Sequence, residues 1–344
     1  MILVKIDGSY GEGGGQILRT AIALSCVTGI PVEVMNIRAN RPKPGLAMQH
    51  MKGIEAAKLM SSAEVKGLRK GSTKVLFKPG RVRGGKFKID IGTAGSISLI
   101  LQVLIPVAMS ADKESEVTVT GGTDVKWSPS VDYLKYVTLE AVEKMGGKVE
   151  LKVLERGYYP EGGGRVFAKI EPTKLSAVEF RDIELGSVEV WGISHCSNLP
   201  KHVAERQARS AVDTLLKEGV KTGVERVRIE VRKGLSTGSG IILWCNAPIG
   251  GSALGEKGKR AEVVGKEAAE ALLRGLKVKA GVDEWAGDQL MVFAALASGI
   301  TRYKVSRVTK HQISNAYVIN KFFEDCVKID EKEGVIEVRG TGVL

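Results

Sequence analysis

The sequence predicts an α/β fold: a large domain of three strand-helix-strand-helix-strand-strand repeats, with a small α/β domain inserted in the third. Three observations predict it. Apolar residues switch between period two and period 3.6 in the same order twice over. That order returns after about 85 residues. Residues 184–277 then interrupt a third, incomplete copy with strands and helices of their own.

In the first copy, alternating or β-branched runs place strands near 2–6, 32–37, 64–67 and 73–78, and helical spacing covers 15–28 and 45–60. Gly29 and Pro31 stop the first helix, while Pro42, Pro44 and Gly45 punctuate the approach to the second. The second copy reads as strand 86–91, helix 96–110, strand 116–120, helix 131–145 and strands 148–153 and 165–170. The third is drawn from helix 285–298, strand 302–306, helix 314–323 and strands 326–329 and 334–338, its first strand lying apart. The interruption carries strand-like 187–193, 226–232 and 240–245 and helix-like 202–217 and 260–274. The expected domains are therefore 1–183 with 278–344, and 184–277. EGGG occurs at 12–15 and again at 161–164, but the first leads into a helix and the second into a strand, so they read as two separate turns.

Composition excludes several classes. With 344 residues, 43% hydrophobic and 26% charged, the chain can bury a full core. No run approaches the roughly 18 to 20 apolar residues of a membrane span, and the N-terminus does not read as a signal peptide, so a cytoplasmic location and no membrane partner are expected. Cys26, Cys196, Cys245 and Cys326 lie far apart without zinc-type spacing and read as buried free thiols. A net charge of +12 favours a polyanionic partner such as RNA or a nucleotide.

Three polar stretches share one topological address, the connection after the second strand of a repeat. They are Arg38, Arg41, Gln49 and His50 in copy one, GGTDVKWSPSVDY (121–133) in copy two, and SRVTKHQISN (306–315) in copy three. Ligand groups in α/β proteins gather at one end of the strands.

GSYGEGGGQILRT (8–20) puts three glycines ahead of a helix, allowing close backbone approach to a ligand and offering unpaired N–H groups to an anion. Arg19 lies one turn in, and Glu12 suits a divalent metal or a ribose hydroxyl; the plainer alternative is a glycine turn flanked by solvated charges. Neither GxxxxGK[ST] nor a Rossmann GxGxxG is present. In RANRPKPGLAMQH (38–50), two arginines on a proline-stiffened segment can fork onto phosphate oxygens, or form a solvated basic loop. Among four histidines, His311 stands in the third stretch; neutral imidazole is nucleophilic toward phosphorus, whereas a structural hydrogen-bonding role is the commoner use of such a ring.

These stretches, together with the Gln102 region SLILQVLIP, RGYYPEGGGR (156–165), NLPKHVAERQ, DQL (288–290) and HQISNAYVI, resemble the RNA 3'-terminal phosphate cyclases in order and over essentially the whole length. RGYYPEGGGR looks like that family's identifying sequence. The resemblance implies three strand-helix repeats with a smaller domain inserted in the third. It also implies an enzyme in which His311 attacks the α-phosphorus of ATP to give a His-AMP phosphoramidate, with Mg²⁺ or Mn²⁺ masking phosphate charge. AMP then passes to the 3'-phosphate of RNA, and the 2'-hydroxyl displaces it to leave a 2',3'-cyclic phosphate.

By the same resemblance, Glu12 serves metal and nucleotide, and Arg19, Gln102, Pro129, Asp132, Trp285, Asp288 and Gln289 bind the nucleotide. Arg38, Arg41, Gln49 and His50 face the RNA phosphate. Trp285 stands where the family often has Tyr, and its larger π face preserves stacking on adenine, with Pro129 opposite. A non-catalytic cyclase-like protein of ribosome assembly is the alternative in the same fold; such proteins lack the nucleophilic histidine. Enolpyruvyl transferases share the repeat but require a different substrate pattern, and a passive RNA-binding module would use an aromatic-rich stacking strand that this chain lacks. The sequence leaves the oligomeric state open, with a homodimer as one option.

Overall fold

A computed structural model describes residues 2–344. The first repeat runs β1 (Val4–Asp7), α1 (Gly15–Thr28), β2 (Val32–Met35), α2 (Met48–Ser61), β3 (Glu64–Lys66) and β4 (Val75–Lys78). Val4, Ile6, Val32 and Val34 point to one buried face, as period-two alternation requires. β1 and β2 pair in parallel, a connection that needs a crossover, and α1 supplies it. α1 stops at Gly29, whose φ of 72° is left-handed and whose N–H donates to Ser25. β4 then pairs antiparallel with both β2 and β3, giving the order β1-β2-β4-β3.

The second repeat repeats that plan. β5 (Lys86–Asp90), α3 (Ile97–Met109), β6 (Ser115–Gly121), β7 (Val149–Glu155) and β8 (Gly164–Ile170) form a sheet of order β5-β6-β8-β7. Its second helix is composite: α4 (Val131–Tyr133) passes through a π-helical stretch, Leu134–Leu139, into α5 (Glu140–Lys144).

The third repeat opens with β9 (Glu179–Phe180), only two residues long, which explains why sequence periodicity could not register it. The chain then builds β10 (Val190–Ser197), α6 (Lys201–Lys217), β11 (Val227–Arg232), β12 (Gly238–Cys245), β13 (Gly250–Leu254) and α7 (Ala261–Lys277), with sheet order β11-β10-β12-β13. β13, GGSAL, is a strand the sequence did not announce, because glycine and serine carry little β signal. The repeat resumes with α8 (Ala286–Leu296), β14 (Ser298–Lys304), α9 (Lys310–Phe322), β15 (Val327–Asp330) and β16 (Val335–Thr341). β9 pairs in parallel with β14 and restores the order β9-β14-β16-β15.

Two apolar cores result. One runs through the three repeats, with α1 packed on α2, α3 and α9 at its centre. The other is built from residues between Ile183 and Leu276. All four cysteines are free and buried. Among the described residues, no helix is long and apolar enough to cross a membrane.

Candidate active site

The glycine turn ahead of α1 is the meeting point of three elements, and its glycines are required for different reasons. Gly11 and Gly13 both adopt φ of +60°, a region that disfavours side chains. A Cβ on Gly11 would lie 2.4 Å from Ser314 Oγ of α9, one on Gly13 2.5 Å from Asn40 Nδ2, and one on Gly15 2.2 Å from His50 Nε2 of α2. Bare backbone is what lets these three elements converge. No side chain caps α1 at Gly14, so its first N–H groups remain available to an anion.

His311 sits in the first turn of α9, three residues before the point where apolar periodicity places a helix in that region. The signal lay in Thr309 and Gln312. They form a capping box, in which Thr309 Oγ1 accepts from the Gln312 N–H at 3.2 Å and Gln312 Oε1 accepts from the Thr309 N–H at 3.0 Å. That cap fixes where His311 leaves the helix.

The His311 ring lies between Gln16 and Glu12. Its Nδ1 bonds Gln16 Oε1, its Nε2 is 2.5 Å from Glu12 Oε2, and Asp288 Oδ2 is 3.9 Å from Nδ1. Gln16 is oriented in turn, because its amide donates to Asp288 Oδ2. An amide so oriented presents its oxygen to the ring, so Nδ1 donates to it, while Nε2 faces the Glu12 carboxylate, itself an acceptor. The side chain is 46% exposed. Partial burial pulls its pKa below the ordinary histidine value; Glu12 opposes that shift, and Arg19 and Arg41 reinforce it.

The arginines surround this ring. Arg41 donates to Glu12 Oε1. Arg38 holds a left-handed φ of 54° and spends one N–H on the Gly45 carbonyl at 2.8 Å, bracing the loop while its other donors stay free. Burial pulls Arg19 down to about 10, opposed by Asp288 and Glu12. His50 is different: it is buried, its Nδ1 accepts from the Ala47 N–H at 3.3 Å, and its pKa falls to about 3 through burial and then Arg19 and Arg38. His50, expected to face the RNA phosphate, packs as a neutral ring beneath Gly15. Gln49 shares with His50 and Arg19 the wall of an adjoining pocket.

Behind His311 a small cavity of about 30 Å³ is lined by Gln16, Arg19, Gln102, Asp288, Gln289 and Asn315, among others. Burial raises the Asp288 carboxyl to about 7 against the opposing pull of Arg19 and Gln16. Gln289 accepts from Thr138 Oγ1 at 3.0 Å and donates to the Trp285 carbonyl at 3.1 Å. The Trp285 ring is partly exposed, meets Tyr133 edge-on at 6.4 Å, and lies 5.5 Å from the Arg274 guanidinium. Asp283 sets its backbone: that carboxylate accepts from the N–H groups of Trp285 and Ala286, from Gly250 and from the Tyr133 hydroxyl.

Two further expected nucleotide ligands lie in the second repeat. The Pro129 carbonyl accepts from Ser98 Oγ at 2.6 Å. The Asp132 carboxylate is buried 2.7 Å from Arg156 Nη1, in a cluster with Asp124 and His195. Gln16, Ser314, Asn315, Asp283 and Arg156 carry contacts that sequence reading did not single out. For Gln16 the available signal was its place three residues before Arg19, on the same face of α1.

A family model described as RNA 3'-terminal phosphate cyclase matches residues 10–329. A protein named RNA 3'-terminal phosphate cyclase from Archaeoglobus fulgidus is 58% identical over 97% of this chain and 100% of its own. Proteins of the same name from Pyrobaculum aerophilum and Pyrococcus furiosus are each 49% identical, over 98% of this chain and 99% and 97% of theirs. Among solved structures, the enolpyruvyl transferase NikO from Streptomyces tendae matches with a TM-score of 0.41 and 9% identity, over 100% of this chain and 49% of that one.

Proposed function

Since this chain belongs to the RNA 3'-terminal phosphate cyclase family, we propose that it converts an RNA 3'-phosphate into a 2',3'-cyclic phosphate at the expense of ATP, through adenylylated His311. The observation that carries this reading is the His311 ring, held by Gln16 through one nitrogen with the other directed at Glu12, beside Arg41 and the uncapped start of α1.

His311 Nε2 attacks the α-phosphorus of ATP. A P–N bond forms, the bond to the bridging oxygen breaks, and pyrophosphate leaves. Gln16 keeps a proton on Nδ1, and Nε2 attacks with its lone pair once Glu12 has turned from the ring and taken with it any proton shared between them. An oxygen of the RNA 3'-phosphate then displaces histidine from the adenylyl phosphorus and leaves an RNA-ppA end. Finally the 2'-hydroxyl attacks the 3'-phosphorus, loses its proton, and expels AMP. Adenylylation matters because AMP leaves far more readily than a phosphate oxygen, and the 2'-hydroxyl gains from intramolecular proximity. Arg19, Arg38 and Arg41 gather and neutralise phosphates. Asp288, Gln102 and Gln289 shape the nucleotide side, and Trp285 stacks on the base.

Glu12, 25% exposed, suits Mg²⁺ or Mn²⁺, which take one or two carboxylates and complete their shell with substrate phosphates and water. Bound there, the cation would withdraw charge from the phosphates. Glu12 must first turn from the ring, and Arg41 is placed to hold it there. We take residues 184–277 as an inserted domain. The free buried cysteines fit a reducing compartment, and we place the enzyme in the cytoplasm.

The test is incubation with α-labelled ATP and Mg²⁺ or Mn²⁺. Acid-labile, alkali-stable label should remain on the protein and vanish in His311→Ala. Label that persists in that variant reassigns the nucleophile, and no label in the native protein overturns the reading.

A further inference from the structure

A cleft of about 1000 Å³ opens between the second repeat and the β10–β13 sheet, roomier than the charged groove of about 870 Å³ between α6 and α7. Its lining includes Gln49, Leu99, Lys126, Trp127, Tyr159 and Lys257. Gln49 and Leu99 also line the pocket walled by Arg19 and His50, so the cleft adjoins the Arg19 side of the site. The rings at its rim are unusual. Trp127 is 97% exposed and Tyr159 is 77% exposed, in a chain whose other large apolar side chains mostly sit in cores. Trp127 also holds a φ of 65°, a strained setting for a bulky side chain, and strain of this kind collects at functional sites.

Charge points the same way. Lys126 reaches across the cleft to Glu256, following β13, at 2.8 Å. Both partners are about half exposed, so the pair is weak and a phosphate oxygen can take the place of Glu256. Lys257 and Lys259 stand on the same wall. Upstanding aromatic rings between lysines are what a flexible single strand needs: faces for its bases and cations for its backbone.

We propose that this cleft binds the single-stranded RNA segment immediately upstream of the 3'-phosphate, with bases stacking on Trp127 and Tyr159 and the backbone replacing Glu256 at Lys126. It rests on the cyclase reading and extends it from the reacting end to the strand that carries it. The recognition is sequence-tolerant, because every base has a face to stack.

The test compares two substrates: an oligoribonucleotide of about ten nucleotides with a 3'-phosphate, within the usual site size for single strands, and a dinucleotide with a 3'-phosphate. Trp127→Ala with Tyr159→Ala should raise KM for the long substrate about 10- to 100-fold, leave the dinucleotide nearly unchanged, and leave adenylylation of the protein by ATP intact. A photoreactive uridine two or three nucleotides from the 3'-phosphate should crosslink to Trp127 or Tyr159. Equal effects on both substrates, or no effect on either, with crosslinks elsewhere, overturn the proposal. Failure of native adenylylation would instead strike the cyclase reading itself. Because both side chains are exposed, misfolding of the variant does not confound the result.

Discussion

At two places in this molecule a histidine meets carboxylates and an arginine. At the first, His311 contacts Glu12 and Asp288 with Arg41 alongside, and the imidazole is 46% exposed. At the second, His195, Asp124, Asp132 and Arg156 lie with side chains no more than 4% exposed. There Arg156 reaches Asp124, Asp132 and Glu230, and the Tyr158 hydroxyl bonds His195 Nδ1 at 2.7 Å. Burial works against the Arg156 charge, but Asp132 and Asp124 outweigh it and hold its pKa above the ordinary value. The same residue types thus make a sealed fastening between the second repeat and β10–β12 in one place and an open site in the other. What separates them is access: the His311 side chain is 46% exposed and that of His195 2%.

The largest energetic effect should come from cutting the sealed cluster. Arg156→Met takes the arginine from two buried carboxylates, Asp124 and Asp132, and should lower stability by about 3–5 kcal/mol in denaturant unfolding, while the fraction that folds still takes up adenylyl label. A loss under 1 kcal/mol would mean the cluster is not a fastening. At the open site the pattern should invert. Arg41→Ala should cut cyclisation about 10²- to 10³-fold with stability changed by less than about 1 kcal/mol, because Arg41 is 39% exposed. A large fall in thermal stability would make Arg41 structural.

Gly15→Ala asks whether the open site stands on a rigid floor. Its Cβ would sit 2.2 Å from His50 Nε2, and the collision should remove about 1–3 kcal/mol; an unchanged melting temperature would show that α2 yields.

The last effect depends on pH. Asp288 is raised to about 7 from 3.8, so between those values the folded state binds more protons than the unfolded one and stability falls as pH rises. Asp288→Asn removes that slope. The variant should gain on the native protein on the order of 1–3 kcal/mol as pH goes from 4 to 8, and a constant difference across that range would contradict the raised value.

Much of this was legible in the sequence. The repeats were readable because Val4, Ile6, Val32 and Val34 alternate cleanly and because glycine and proline mark the helix ends. β9 and β13 were not, since two residues and a glycine-rich pentapeptide carry almost no periodic signal. Motif resemblance named Glu12, His311, Arg41, Arg19 and Asp288, and folding brings them together. Residue type alone could not separate His50 from His311, or Asp132 from Asp288. Those distinctions depend on long-range burial: Gly15 lies over His50, and Arg156, from a distant strand end, captures Asp132. Gln16 escaped notice because its value lies in orientation, which Asp288, 272 residues away, imposes.

The most direct measurement is mass-spectrometric localisation of the adduct after incubation with ATP and Mg²⁺ or Mn²⁺. The account predicts one adenylyl group per chain on the peptide containing His311, and unmodified peptides for His50, His195 and His202. Adenylyl on a lysine or another histidine, with a native His311 peptide, would contradict it.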